Sequence, residues 1–169
     1  MRIVIISLLL TVISIEGFGQ ASDFNNHKSI VLQSQFMGLI GAPRYSGVIG
    51  YKHNKWIYFA GYEHIKYNAW DTHRNGVKAG IQLYPYANLK QFKFYYQALV
   101  SYKWHQDKND PVMQFLTFGA GFDFFMYKNL SFGFDYGIGI GRLRYDYYGS
   151  YVSQIDFNAA ITVKYFLSL

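Results

Sequence analysis

Long runs of strict period-two alternation constrain this chain more than any other feature. In 130–141, Leu130, Phe132, Phe134, Tyr136, Ile138 and Ile140 fall on one face, while Ser131, Gly133, Asp135, Gly137, Gly139 and Gly141 fall on the other. In 152–169, Ile155, Phe157, Ala159, Ile161, Val163, Tyr165, Leu167 and Leu169 oppose Gln154, Asp156, Asn158, Thr162 and Lys164. The same rhythm sets Phe92, Phe94, Tyr96, Ala98, Val100, Tyr102 and Trp104 against Gln91, Lys93, Gln97, Ser101 and Lys103. It recurs with Leu116–Met126 against Thr117, Gly119, Gly121 and Asp123, and with Val77–Leu83 against Lys78, Gly80 and Gln82. Side chains of an extended chain point alternately to opposite faces, so such a pattern dictates strands with one apolar face.

The runs predict eight strands, roughly 28–40, 45–52, 55–67, 75–86, 91–104, 112–127, 130–144 and 152–168. Strands of soluble sheets average about five or six residues, whereas crossing a bilayer at a tilt takes about nine to eleven. The third strand admits two facings, with Ile57 and Phe59 outside or with Trp56, Tyr58 and Tyr62 outside. The second sends Glu63 inward and is adopted.

Composition decides which face meets what. Charged residues are only 15% of the chain, against 21% aromatic and 51% hydrophobic, while soluble domains carry about 25% charged residues. The non-apolar face is mostly Gly, Ser, Thr and Ala, poor material for a solvated surface but suited to a narrow barrel interior. The Phe- and Tyr-rich face suits lipid. A soluble barrel with a greasy pocket would invert this. The mean hydropathy of −0.03 excludes a helical membrane protein, and the absence of cysteine excludes disulfides, thiolate metal sites and cysteine nucleophiles.

The N-terminus reads as an address. Met1-Arg2 precedes the apolar stretch Ile3–Ile15, and Gly17-Phe18-Gly19 places small residues ahead of a cut before Gln20. This is the grammar of a secretory signal peptide, too short for a membrane span. The expected organisation is therefore 1–19 signal peptide and 20–169 barrel, with the net charge of +6 retained after processing. Cleavage and alternation together predict an all-β, eight-stranded antiparallel up-and-down transmembrane β-barrel.

Three connections, Tyr51-Lys52-His53-Asn54, Tyr86-Ala87-Asn88-Leu89 and Tyr127-Lys128-Asn129-Leu130, follow strands two, four and six. Asn tolerates the left-handed backbone of a tight turn. If both termini are periplasmic, these are the periplasmic turns. The other connections, near 41–44, 68–74, 105–111 and 145–151, then face outward and are short for external loops.

The Phe18-Gly19-Gln20 signal end, the alternating strands and the Tyr-x-Asn-Leu turns resemble the small outer-membrane β-barrel family of Gram-negative bacteria, porin-like and similar to the OmpA transmembrane domain. The last strand, Ile161–Leu169, resembles the signal read by the barrel-assembly machinery, although it ends in Leu rather than an aromatic residue. The resemblance implies an outer-membrane location and contact with outer-membrane lipids and lipopolysaccharide. It covers 20–169 and speaks to fold more than to task.

Inward positions collect Glu63, Lys78, Lys93, Lys103, Asp123, Asp135, Asp156 and Lys164, four acids and four bases. An unpaired buried charge costs several kcal/mol, so they are expected to pair and plug the tube; a gated pore is the alternative. The outer loops hold Trp70, Arg74, Arg144, Tyr147, Tyr148 and Tyr151, residue types enriched in binding hot spots. Those residues form either an extracellular binding surface or an aromatic girdle over lipopolysaccharide phosphates. His27-Lys28-Ser29 matches two letters of the His-x-Ser-Asn signature of lipid A deacylases, but Ile30 replaces the Asn. His73, His105, Asp107, Asp110 and Ser150 form no spacing that demands a catalytic triad, and the five scattered histidines lack metal-ligand spacing. No cofactor is implied, and export argues against nucleic acid despite the positive charge. The expected role is non-enzymatic, a structural or accessory subunit of an outer-membrane assembly. A narrow porin for small or hydrophobic solutes is the alternative, and a lipid A-modifying barrel enzyme the third.

Overall fold

The computed structural model describes residues 28–37, 43–67, 72–85, 91–105, 112–145 and 150–169. Eight strands run in chain order: β1 (Ser29–Met37), β2 (Arg44–His53), β3 (Trp56–Tyr67), β4 (Thr72–Leu83), β5 (Phe92–His105), β6 (Val112–Tyr127), β7 (Leu130–Tyr145) and β8 (Ser150–Ser168). Each pairs antiparallel with the next, and β1 pairs with β8, closing an up-and-down barrel. The proposed leader, residues 1–19, lies outside the described residues.

Alternation sorts the wall as the pattern requires. Along β1, buried and exposed residues strictly alternate. In β3, Trp56, Tyr58 and Tyr62 face outward, whereas Ile57, Phe59 and Glu63 are buried inside.

Strand ends differ from the expected ones chiefly in β4, which begins at Thr72 rather than near 75 and stops at Leu83 rather than 86. The β3–β4 ladder continues through Lys66↔His73 and Tyr67↔Thr72, so its connection shrinks to 68–71. Tyr84 leaves the ladder: its N–H donates to the Lys55 carbonyl at 2.8 Å, and its ring is fully buried.

At the other end of the barrel the two described turns, after β2 and after β6, are tight, while Tyr86-Ala87-Asn88-Leu89 lies outside the described residues. Asn54 adopts φ 54°, the left-handed conformation that a two-residue hairpin loop requires. A bulge between Phe125 and Tyr127 leaves Met126 without a ladder partner and exposed.

The register determines the barrel's geometry. Cross-strand partners of Ser34 run through Gly47, Tyr62, Val77, Tyr102, Gln114 and Arg142 to Ser153. On closure, however, Ser34 stands opposite Val163. The difference, 163 less 153, is a stagger of ten residues per circuit. Eight strands with that stagger tilt by about 40° and enclose a tube of radius about 8 Å. A tube so narrow is filled by side chains.

Filling follows a division of size between strands. Inward glycines on β6 and β7 make room for large side chains from elsewhere on the wall. A Cβ at Gly121 would lie 2.5 Å from the Tyr95 ring, and one at Gly141 would lie 2.2 Å from Phe115. An apolar cluster including Val31, Val48, Ile57, Phe59, Leu99, Phe125 and Phe166 packs in the lumen, and Met113, Phe115 and Leu143 form a second one.

Candidate functional site

Between the apolar clusters the lumen holds an ionic and hydrogen-bonded network. Its most enclosed part centres on Lys164 of β8. The Nζ lies 2.8 Å from Asp123 Oδ2 on β6 and donates to Tyr84 Oη at 2.8 Å and Gln82 Oε1 at 3.2 Å. All three ammonium protons therefore have acceptors. Tyr84 Oη donates to Asp123 Oδ2 at 2.5 Å, and Gln82 Nε2 donates to Gln97 Oε1 at 3.4 Å. The ammonium also stands 3.9 Å from the Tyr95 ring centre, within cation–π range.

Tyr95 joins this group to the next. Its hydroxyl donates to Asp135 Oδ2 at 3.3 Å, which also accepts from Gln35 Nε2 at 2.9 Å. Lys78 donates to Gln35 Oε1 and to Ser46 Oγ, the latter at 2.7 Å. Towards the 68–71 end, Arg44 grips Asp156 with two bonds of 2.8 Å. Lys103 lies 3.4 Å from Glu63 and 3.7 Å from Asp156, over the Phe115 ring at 5.0 Å.

All eight inward residues expected from alternation thus stand in the lumen, Lys93 among them and almost fully buried. Three further bases join them. Arg44 pairs with Asp156. Lys52, expected at a turn rim, faces inward in β2 and is buried. Arg74, expected on an outer loop as part of a binding surface, instead lies in β4, buried, with Nη1 2.7 Å from Met113 Sδ. The physical reason is the longer β4: Arg74 falls two ladder steps before Gly76 and four before Lys78, on the same inward side. That parity was available in the sequence once the strand was begun early enough. Seven bases (Arg44, Lys52, Arg74, Lys78, Lys93, Lys103, Lys164) therefore face four acids (Glu63, Asp123, Asp135, Asp156) among the described residues.

Trp70, Tyr147 and Tyr148 lie outside the described residues, while Arg144 and Tyr151 are described in backbone only. His27, Asp107 and Asp110 are likewise outside, and Ser29 is buried at the start of β1. His73 stacks on His64 at 5.3 Å on the outer wall, and its Nδ1 lies 3.2 Å from His64 Nε2. Among the described residues no three His, Cys, Asp or Glu side chains gather as a metal ion would need.

No protein-family model matches the chain, and no curated protein matches it in sequence. Among solved structures, the N-terminal β-barrel domain of Pseudomonas aeruginosa OprF is similar with a TM-score of 0.52 and 15% identity, covering 85% of this chain and 98% of that domain. At that identity the likeness is one of fold, and it agrees with the closed eight-stranded barrel described above.

Proposed function

We propose that this chain is an integral outer-membrane β-barrel with a side-chain-filled lumen, serving without catalysis as a structural or accessory subunit of an outer-membrane assembly. One observation carries the reading: the wall is apolar outside and ionic inside. Outward Ile49, Phe118, Tyr136, Ile140, Ile155 and Phe157 are each at least 58% exposed, while Lys164, Asp123 and Asp135 are fully enclosed. Water would favour the reverse, and hydrocarbon favours this arrangement. On β8 the outward apolar run from Ile155 to Leu167 rises about 30 Å at the 40° tilt, close to the hydrocarbon thickness of a bilayer.

In this reading the leader 1–19 directs export, and the tight turns and both chain ends face the periplasm. The last residue stays tied to the first strand, Leu169 N–H donating to the Lys28 carbonyl at 3.0 Å. Lipopolysaccharide and phospholipid cover the outer wall, and the barrel-assembly machinery inserts it.

Fractionation and gentle extraction test the proposal. The processed chain is expected in outer membranes, soluble only with detergent, and retained with other outer-membrane proteins in native pull-downs. Monodisperse behaviour in plain buffer overturns the membrane reading, and free monomer alone in every mild detergent overturns the subunit role. A second reading, a narrow transporter, draws on the seven bases and four acids that line the lumen among the described residues; persistent ion-selective current in planar bilayers would favour it.

A further inference from the structure

The outer wall is not evenly covered by its own side chains. Ala60 of β3 and Ala79 of β4 are direct ladder partners, and the same row continues through Val100, Leu116 and Ile140. The two small residues leave the wall hollow. Two connected hollows of about 820 and 940 Å³ share Ala60, Ala79, Val100 and Leu116 along this row. The upper hollow reaches Arg142.

Because the stagger makes each row climb towards the far ends of β7 and β8, the trough runs diagonally. Four strand spacings give it a length of about 19 Å and a rise of roughly 12 Å. That rise is close to one leaflet of a hydrocarbon core about 30 Å thick. Its high end is where the outer wall turns polar, with Arg142 flanked by its ladder neighbours Gln114 and Ser153.

Arg142 points away from the lumen and is exposed. The four acidic side chains among the described residues, Glu63, Asp123, Asp135 and Asp156, all face the lumen, so none of these stands beside it on the outer wall. An apolar trough that ends one leaflet up at a guanidinium complements an acyl chain whose headgroup carries a phosphate.

We infer that the trough holds one acyl chain of an anionic, phosphate-bearing lipid, with the phosphate on Arg142. This rests on the membrane reading above. It adds a specific site on an otherwise general lipid face.

The test uses the full processed chain in detergent micelles, titrated with phosphatidylglycerol or phosphatidylcholine, with bound lipid counted by native mass spectrometry. One phosphatidylglycerol is expected to be retained at a concentration at least tenfold lower than phosphatidylcholine. Arg142→Gln should abolish that preference. Ala79→Trp, which fills the trough and leaves Arg142 in place, should abolish retention of both lipids. Ala159→Trp, outward on β8 and away from the trough, should keep the preference. A wild-type chain that inserts but binds both lipids equally overturns the inference alone, as does a preference that survives both trough variants. A chain that never needs detergent overturns the membrane reading and this site with it.

Discussion

Lys164 Nζ stands 2.8 Å from Asp123 Oδ2, and both side chains have no solvent exposure at all. The pair joins β8 to β6 across the lumen rather than along the wall, where β7 separates them. Backbone ladders hold neighbouring strands; this contact and its Tyr84 and Gln82 extensions brace the tube from inside.

Breaking the pair from one side should therefore be costly. Lys164→Met leaves a buried carboxylate with one remaining donor, Tyr84, and is expected to cost about 3–5 kcal/mol of folding free energy. Urea titration of the barrel in lipid vesicles measures this. The double variant Lys164→Met/Asp123→Asn should cost less than the sum of the singles by on the order of 2 kcal/mol, because it removes both charges together. Strict additivity would mean the two groups do not interact.

The outward face supplies a second expectation. Ile138→Arg places a charge among exposed apolar neighbours halfway up β7, and should cost about 2–4 kcal/mol in a bilayer, whereas Ser153→Arg, at the polar upper row, should cost about 0–1. Equal, small effects in vesicles would show that the outer wall does not face lipid.

Glycines of the wall, inward Gly119 and outward Gly47, provide a third. A Cβ at Gly119 would meet the Tyr136 carbonyl at 2.1 Å and the Gly137 backbone at 2.9 Å, atoms that cannot swing aside. Gly119→Ala is expected to destabilise by about 1–3 kcal/mol through overpacking. At Gly47 nothing lies within 4 Å of such a Cβ, so Gly47→Ala should be neutral to within about 0.5 kcal/mol. Comparing the two unfolding midpoints is the measurement.

The filled lumen makes a fourth, electrical prediction. Tyr84 and Tyr95 are fully buried inside the tube with ring centres 5.2 Å apart. The wild-type barrel should show no steady current in planar bilayers, and Tyr84→Ala/Tyr95→Ala should give brief openings. Persistent wild-type channels would refute the plugged state.

Arg44 offers a fifth. Its two bonds to Asp156 need the planar fork of a guanidinium. Arg44→Lys keeps the charge but loses one bond, and should cost on the order of 1 kcal/mol in the same urea titration. No change would assign the pair a purely incidental role.

Much of the fold is legible in the one-dimensional pattern because strand side chains have a period of exactly two residues. Strands β6 and β7 could be read almost to the residue, since Phe132, Phe134, Tyr136 and Ile138 alternate with glycine and aspartate without a break. Strand β4 was harder. Thr72, His73 and Asn75 carry no apolar signal, and only pairing with β3 shows that they continue the ladder. The same blind spot hid Arg74, which looks like a loop cation until its strand is extended.

Where it runs unbroken, alternation by itself determined which side of the wall a side chain takes, and so enclosed eight of the eleven inward charges among the described residues; Arg44, Lys52 and Arg74 escaped it. It said nothing about partners across the tube. That Lys164 meets Asp123 and Tyr84 while Arg44 meets Asp156 depends on the ten-residue stagger at closure, a property of all eight strands together. Facing is a local consequence of backbone geometry, whereas contact across a lumen needs the ring to close, and only the tertiary structure decides how it closes.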